Sequence, residues 1–199
     1  MTNRIDWDAR YSDEEYIYGV EPNAFLAEFS GRLNGPILSL AEGEGRNAVF
    51  LAGLGHAVHC VDGSAVALAK AERLAKAKGV TITTEVVDLA NFVPQSDHYG
   101  SVISISAHLP SSIRHRLYPL VEACLQTHGT LLLESYSLHQ LQRNTGGPKD
   151  IDLLMSIEKI QTEFPHLNPV RLCEVEREVV EGKLHTGMAS VVQFIGIKK

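Results

Sequence analysis

The stretch Ile37-Leu38-Ser39-Leu40-Ala41-Glu42-Gly43-Glu44-Gly45-Arg46-Asn47-Ala48 decides the fold. Its apolar beginning follows Gly35-Pro36 and predicts a buried strand, whereas apolar residues recur at helical spacing from Asn47 to Leu54. Two glycines separate the strand from the helix. Because glycine has no side chain, the backbone there can approach a ligand closely, and the free N–H groups of the helix start point at it. The stretch predicts a strand, a tight turn and a helix start that bind a polar ligand.

A second predicted strand, 56–62, ends on an acid. Asp62 stands 17 positions beyond Gly45, close to the spacing of about 20 residues at which the acid of a nucleotide-binding fold meets a ribose diol. A G-x-G pair alone also serves ordinary turns. The glycines and the acid together favour a ligand that contains a nucleoside.

Length and composition predict one soluble domain. The chain has 199 residues, 44% of them hydrophobic and 21% charged, enough to bury about 70% of the unfolded surface. The net charge of −6 disfavours nucleic-acid binding, which needs a basic surface. The three cysteines are far apart and predict neither a disulfide framework nor a zinc site. Without a signal core or a long apolar run, we expect a cytoplasmic protein with no membrane partner. Its oligomeric state is open, with a monomer favoured.

The N-terminal segment 4–20 is dense in aromatic rings and acids. It holds the single tryptophan and three of the six tyrosines, namely Trp7, Tyr11, Tyr16 and Tyr18. Such rings either pack an arm onto the domain or close as a lid over a ligand and exclude water. Next comes a short predicted helix, with Pro22 at its first position and its end near Gly31. The expected organisation is a single domain, 1–199, with the arm and helix, 1–34, as a possible lid.

Strands and helices alternate through the rest of the chain. The predicted elements are a helix capped by Ser64 and ending at Gly79, strands 80–87 and 100–106, a helix 110–126, a strand 129–133, a helix within 138–164, and a hairpin of strands 171–180 and 186–197 around Glu181-Gly182-Lys183. The basic residues at 70, 73, 76 and 78 are expected on a solvated helix face. This α/β alternation predicts a doubly wound parallel sheet that binds ligands at the carboxyl ends of its strands, where Gly43, Asp62, Asp88 and Ser104 lie.

This arrangement resembles a class I S-adenosylmethionine-dependent methyltransferase over nearly the whole chain. More narrowly it is similar to the small bacterial and cyanobacterial branch related to tellurite-resistance methyltransferases. The similarity rests on the motifs Trp7-Asp8-Ala9-Arg10-Tyr11, Tyr18-Gly19-Val20-Glu21-Pro22-Asn23, Glu42-Gly43-Glu44-Gly45-Arg46-Asn47 and Thr145-Gly146-Gly147-Pro148. The resemblance implies a Rossmann-like seven-stranded sheet in the order three-two-one-four-five-seven-six, with strand seven antiparallel.

The resemblance also implies a binding site for S-adenosyl-L-methionine. It assigns the methionine portion to Glu42, Gly43, Gly45 and Asn47, the ribose hydroxyls to Asp62, and the adenine to the surroundings of Gly63, Ser64, Asp88 and Leu89, and it adds Tyr18, Arg46 and Ser104 to the cofactor-binding residues. The sulfonium and a small-molecule methyl acceptor are expected along 104–108. No metal site is expected, because the histidines lack ligand spacing.

Three positions depart from the family pattern. The family usually has Asp at the position of Ser39, Gly at that of Ala41, and Cys or Ser at that of Glu42. A carboxylate is therefore lost at one position and gained three residues later. We expect Glu42 to replace the lost acid and to attract the ammonium and sulfonium charges of the cofactor.

His108 is the candidate catalytic residue. It follows the predicted fourth strand, where it can accept a proton from the acceptor as a general base; the alternative is that it orients the loop or caps the next helix. His185 and Arg177 on the hairpin could also face the acceptor, although a solvated strand face is the simpler reading.

Two other functions stay open at this point. Gly43 to Ala48 also fits the relaxed G-x-G-x-x-A pattern of dinucleotide binding, so the chain could be a nicotinamide oxidoreductase. Against this, no Y-x-x-x-K pair follows. The changes at Ser39, Ala41 and Glu42 also leave room for a module that binds the cofactor without catalysis.

Overall fold

The computed structural model describes residues 6–182 and 185–199. Its helices are α1 (Trp7–Arg10), α2 (Ala24–Phe29), α3 (Arg46–Gly53), α4 (Ala65–Lys78), α5 (Ser111–Cys124) and α6 (Ile157–Glu163). Its strands are β1 (Ile37–Leu40), β2 (Val58–Asp62), β3 (Thr83–Val86), β4 (Tyr99–Ile105), β5 (Leu125–Tyr136), β6 (Leu167–Glu181) and β7 (His185–Lys198). Short 3-10 helices lie between these elements at Ser30–Arg32, Leu138–Gln142 and Ile151–Leu153.

The strands form one seven-stranded sheet in the order β3-β2-β1-β4-β5-β7-β6. Neighbouring strands from β3 to β5 are parallel, whereas β7 runs antiparallel to both β5 and β6. In register, Leu40 lies beside Val61 on one side and Ser104 on the other. The sheet class, the strand order and the C-terminal hairpin are thus confirmed.

Each face of the sheet carries its own core. On β1, Leu38 and Leu40 pack toward α5 and α6, whereas Ile37 packs toward α2, α3 and α4. Side chains alternate between the faces of a strand, so this central strand needs apolar residues in both directions. Ser39 is the exception in β1 and is 2% exposed.

Several predicted boundaries were wrong. The fifth strand runs from Leu125 to Tyr136 instead of 129–133, because Leu125 pairs with Tyr99 of β4 and residues 130–136 pair with β7. The helix after Pro22 begins at Ala24, since the side chain of Asn23 accepts the backbone N–H of Leu26 and caps it. The helix predicted within 138–164, with Leu153, Leu154, Ile157 and Ile160 as its apolar residues, begins only at Ile157, so that Leu153 and Leu154 precede it.

The N-terminal arm packs against the domain. Of the predicted segment 4–20, residues 4 and 5 lie outside the described part, as does Lys183 of the predicted hairpin turn. The hairpin reaches the arm through Gly182, where an added Cβ would lie 2.0 Å from the carbonyl oxygen of Ile17.

Within the described residues, no helix has the length and apolar character to cross a membrane.

Candidate active site

The turn between β1 and α3 is built on two left-handed glycines. Gly43 has φ of 66° and Gly45, the N-cap of α3, has φ of 93°, a region that side chains disfavour. A Cβ on Gly45 would also lie 2.6 Å from the Cβ of Ala71 in α4. The second glycine is therefore required both by the backbone and by close packing of α3 on α4.

Asp62, at the end of β2, holds this turn directly. Its Oδ2 accepts the backbone N–H of Gly43 at 2.8 Å, and its Oδ1 accepts the backbone N–H of Ser64 at 2.8 Å. Burial raises the pKa of Asp62, and the backbone N–H donors of Ser64, Gly43 and Gly63 oppose that shift. Each carboxylate oxygen has a further lone pair, so this acid supports the turn and can still accept hydroxyl donors.

Glu42 is directed into the protein. Its Oε1 accepts the backbone N–H groups of Asn47 and Ala48 at 3.1 and 2.9 Å, and its Oε2 accepts the hydroxyl of Ser39. The carboxylate thereby caps α3. Its hydroxyl partner, Ser39, stands at the position where the family usually has an acid. Burial raises the pKa of Glu42 to about 7. The expected contact with the cofactor's ammonium stays a prediction, since the described contacts of this carboxylate are structural.

The other predicted nucleoside residues line the same edge. Ser64 caps α4 by accepting the backbone N–H of Ala67 at 3.0 Å, while Gly63 is exposed beside it. The Oδ1 of Asp88 accepts the N–H of Ala90 at 2.9 Å and closes the loop after β3. Leu89 is buried in the core on the α5 side.

Rings of the arm lie over the glycine turn. Tyr11 is 6% exposed, and its hydroxyl oxygen lies 3.0 Å from the position of a Cβ built on Gly43. The ring of Tyr18 meets that of Tyr11 edge-on, with centroids 6.2 Å apart, and the ring of Trp7 stacks on that of Tyr11 with centroids 5.7 Å apart. Asp8 ties the start of the arm to the edge by accepting the hydroxyl of Ser64 at 2.6 Å.

His108 lies beyond the end of β4. Its ring stacks on Tyr136 with centroids 5.3 Å apart, and its Nδ1 is 3.3 Å from the hydroxyl of Ser135. Ser104 is 3% exposed within β4. At the start of α5, Asp152 accepts the first N–H of the helix, from Ser111, at 2.9 Å.

A buried network of charges borders this region. Glu134, at the end of β5, accepts hydrogen bonds from Asn23, Arg177 and Gln193. Glu181, at the end of β6, accepts from Asn23 at 2.8 Å, Arg46 at 2.6 Å and Arg177 at 2.9 Å. The solvated strand face expected for Arg177 was wrong, because both of its carboxylate partners are buried. The side chain of His185 lies outside the described residues.

Sequence reasoning missed three features of the site. It did not identify Tyr11 as the ring over Gly43 or Glu44 as a buried residue, and it placed Lys70 on a solvated face although Lys70 is 1% exposed. Helical spacing could have warned of this last error, since Lys70 follows Ala67 by three residues and precedes Leu74 by four, on the apolar side of α4.

A groove of about 470 Å³ lies elsewhere, between α5, α6 and the first residue of β6. Leu167 and Lys198 line it and pair with each other at the amino edge of the sheet. Ligands of open α/β sheets bind at the opposite, carboxyl edge, so the site is placed at the glycine turn. Residues 6–182 and 185–199 contain no group of His, Cys, Asp and Glu suited to a metal ion.

Residues 37–129 match the family model described as a methyltransferase domain. No curated protein matches the chain significantly. Solved structures share the fold. One, described with the conversion of a disulfide bond into a thioacetal group during echinomycin biosynthesis, has a TM-score of 0.77 and 19% identity, and the match covers 97% of this chain and 91% of that one.

Two further structures are similar. TehB from Haemophilus influenzae has a TM-score of 0.73 and 13% identity, with 97% of this chain and 66% of that chain covered. A S-adenosylmethionine-dependent methyltransferase from Anabaena variabilis has a TM-score of 0.69 and 16% identity, with coverages of 97% and 92%. Residues 37–129 thus match a methyltransferase domain, and the three structures share its fold.

Proposed function

We propose that this protein methylates a small molecule, with S-adenosylmethionine bound along the carboxyl edge of β1, β2 and β3. The observation that carries the proposal is the contact between Asp62 and Gly43, which joins the predicted ribose acid to the glycine turn. The proposed cofactor-binding residues are those predicted from the sequence: Tyr18, Glu42, Gly43, Gly45, Arg46, Asn47, Asp62, Gly63, Ser64, Asp88, Leu89 and Ser104.

The residues present fit such a cofactor. Left-handed Gly43 and Gly45 leave backbone without side chains at the turn, and Asp62 keeps acceptor capacity for two ribose hydroxyls. The rings of Tyr11 and Tyr18 supply apolar cover on the arm side. When bound, S-adenosylmethionine supplies an electrophilic methyl group on a sulfonium.

The chain's own contribution to transfer is alignment and exclusion of water. Holding two reactants in line lowers the activation barrier by about 7–11 kcal/mol, so few catalytic side chains are needed. We assign His108 as the general base for an acceptor that carries a proton, since a positioned base accelerates such steps by about 10²–10⁴-fold. Ser135 beside its Nδ1 and the stacked ring of Tyr136 hold the imidazole.

The small-molecule assignment rests on enclosure and charge. The arm reaches the glycine turn through Tyr11, and the hairpin contacts that arm at Gly182. The N-cap of α2, Asn23, donates its backbone N–H to the side chain of Asn47, and these contacts support enclosure of one side of the site. His108 itself is half-buried. The net charge of −6 disfavours nucleic acid. The motif strings around Trp7 and Arg46 resemble the tellurite-resistance-related branch, and we propose membership in that branch without choosing the acceptor.

Calorimetry with S-adenosylmethionine, S-adenosylhomocysteine and NAD in parallel tests the cofactor. We expect the first two to bind and NAD not to bind. Asp62→Ala should weaken binding by about 1.5–3 kcal/mol for each charged hydrogen bond lost. Asp97→Ala, on an exposed loop, is the control. Preferential binding of NAD, or an unchanged dissociation constant in Asp62→Ala, would refute the assignment.

A further inference from the structure

We propose that Lys70 is a positioning residue for cofactor binding. Its ion pair with Glu44 holds the N-terminal arm over the glycine turn, so that Tyr11 and Tyr18 cover the cofactor. The inference rests on the proposed function, because it takes the location of the cofactor from it. It goes further by assigning the closed position of the arm to one buried charge pair.

The ammonium group of Lys70 binds several backbone carbonyl oxygens of the arm. It lies on α4, is 1% exposed, and its Nζ donates to the carbonyl oxygens of Asp13 at 2.8 Å, Glu15 at 2.7 Å and Tyr11 at 3.4 Å. The hydroxyl of Tyr16 donates in turn to the carbonyl of Lys70 at 3.1 Å, and its ring lies 5.2 Å from Nζ. One side chain thus fixes arm residues from 11 to 16.

Glu44 supplies the opposite charge from within the glycine turn. It stands between Gly43 and Gly45, is 3% exposed, and its Oε1 contacts the Nζ of Lys70. Its Oε2 accepts the backbone N–H groups of Ile17 at 2.8 Å and Tyr18 at 3.3 Å. The arm is therefore held by both members of the pair, through carbonyls on Lys70 and N–H groups on Glu44.

The arrangement specifies one position of the arm. A buried ion pair offsets its desolvation only when hydrogen bonds satisfy both charges, and here arm backbone supplies carbonyls to one charge and N–H groups to the other. A shift of the arm along the domain would break several of these contacts together. In the position that satisfies them, the hydroxyl of Tyr11 reaches Gly43 and the ring of Tyr18 lies against that of Tyr11.

The test compares Lys70→Met, Glu44→Gln and the paired variant Lys70→Met/Glu44→Gln. The paired variant removes both charges, so it avoids the isolated buried charge that each single change leaves and that could prevent folding. Lys76→Met, exposed on the same helix, is the matched control. Trp7 is the only tryptophan and stacks on Tyr11, so its fluorescence reports on the arm alone.

Two readouts separate positioning from simple stabilisation. Without cofactor, acrylamide should quench Trp7 more strongly in the paired variant than in the wild type or Lys76→Met. With S-adenosylhomocysteine, the dissociation rate should rise about tenfold and the association rate should change less. The melting temperature is measured alongside both.

Unchanged quenching and an unchanged dissociation rate in the paired variant would overturn the proposal, even if that variant melts at a lower temperature. A wild type that does not bind S-adenosylhomocysteine would overturn the proposed function and, with it, the role of Lys70 in cofactor binding. Increased quenching in that case would show only that the pair anchors the arm. The two failures are therefore distinguishable.

Discussion

At the scale of single residues, the turn after β1 combines strain with a relocated acid. Ala41 has φ of 50°, a left-handed conformation that costs a side-chain-bearing residue about 1–2 kcal/mol; the family usually has glycine there. The capping carboxylate comes from Glu42, with the hydroxyl of Ser39 as its partner. Of the three positions that differ from the family pattern, Ser39 and Glu42 are therefore linked, because together they provide the helix cap.

Glu42 should make stability depend on pH. Burial raises its folded-state pKa from 4.5 to about 7, so the native state holds a proton that the unfolded chain has lost between those values. This contribution is fully present below about pH 4.5 and is lost as pH rises through 7. Relative to the wild type, Glu42→Gln should gain up to about 3 kcal/mol in free energy of unfolding from pH 4.5 to pH 8.

Urea denaturation across that range measures the difference. Glutamine keeps the shape, with an oxygen for the N–H groups of α3 and an amide for Ser39. The control, Glu72→Gln, lies on the exposed face of α4. Parallel pH profiles for the wild type and Glu42→Gln would contradict a titrating buried carboxylate.

At the scale of elements, the β6–β7 hairpin supports the arm through Gly182. Its φ is 70°, and an added Cβ would lie 2.0 Å from the carbonyl oxygen of Ile17. Gly79, after α4, has nearly the same φ of 71° but open space around it. Comparison of alanine substitutions at Gly182 and Gly79 therefore separates the effect of backbone strain from that of steric contact.

Gly182→Ala should therefore destabilise the protein more than Gly79→Ala. Gly79→Ala incurs only the cost of a left-handed backbone at alanine, about 1–2 kcal/mol. Gly182→Ala incurs that cost and also displaces the arm. Urea denaturation measures both, and the emission of Trp7 should change in Gly182→Ala alone. Equal losses of stability with identical emission would show that the hairpin does not constrain the arm.

At the scale of the whole molecule, the charge network joins elements that are distant in the chain. Glu134 on β5 and Glu181 on β6 are bridged by Arg177, while Asn23 reaches both from the N-cap of α2. Arg46 ties Glu181 to the start of α3. The two carboxylates are balanced by two guanidinium groups, so the network fixes the start of α2, the start of α3, β5 and the hairpin relative to one another.

Arg177→Met should cost about 3 kcal/mol of stability, because it leaves buried carboxylates without their shared cation. Arg143→Met is the control, since its partner Glu176 is 63% exposed and such surface pairs contribute about 0–1 kcal/mol. Chemical denaturation of both variants measures the difference. A loss for Arg177→Met no larger than that for Arg143→Met would mean that water satisfies the two carboxylates.

The sequence by itself predicted the sheet, which the structure confirms, and a candidate site at its carboxyl edge. Apolar runs and helical spacing are local properties, so strands, helices and the turn at Gly43 and Gly45 could be predicted, and the strand order followed from the resemblance. Asp62 could be placed near that turn because parallel strands end at the same edge.

Only the tertiary structure decided which polar side chains are buried and what they contact. The partners of Glu42 lie three to six residues away, but the direction of its side chain depends on the packed start of α3. Lys70 and Glu44 meet arm residues 26 to 59 positions away, and Arg177 meets Glu134 across 43 positions. Helical spacing places Lys70 on the apolar side of α4, but only the fold brings Glu44 to it. Burial of an ion depends on its partner, and no local pattern identifies that partner.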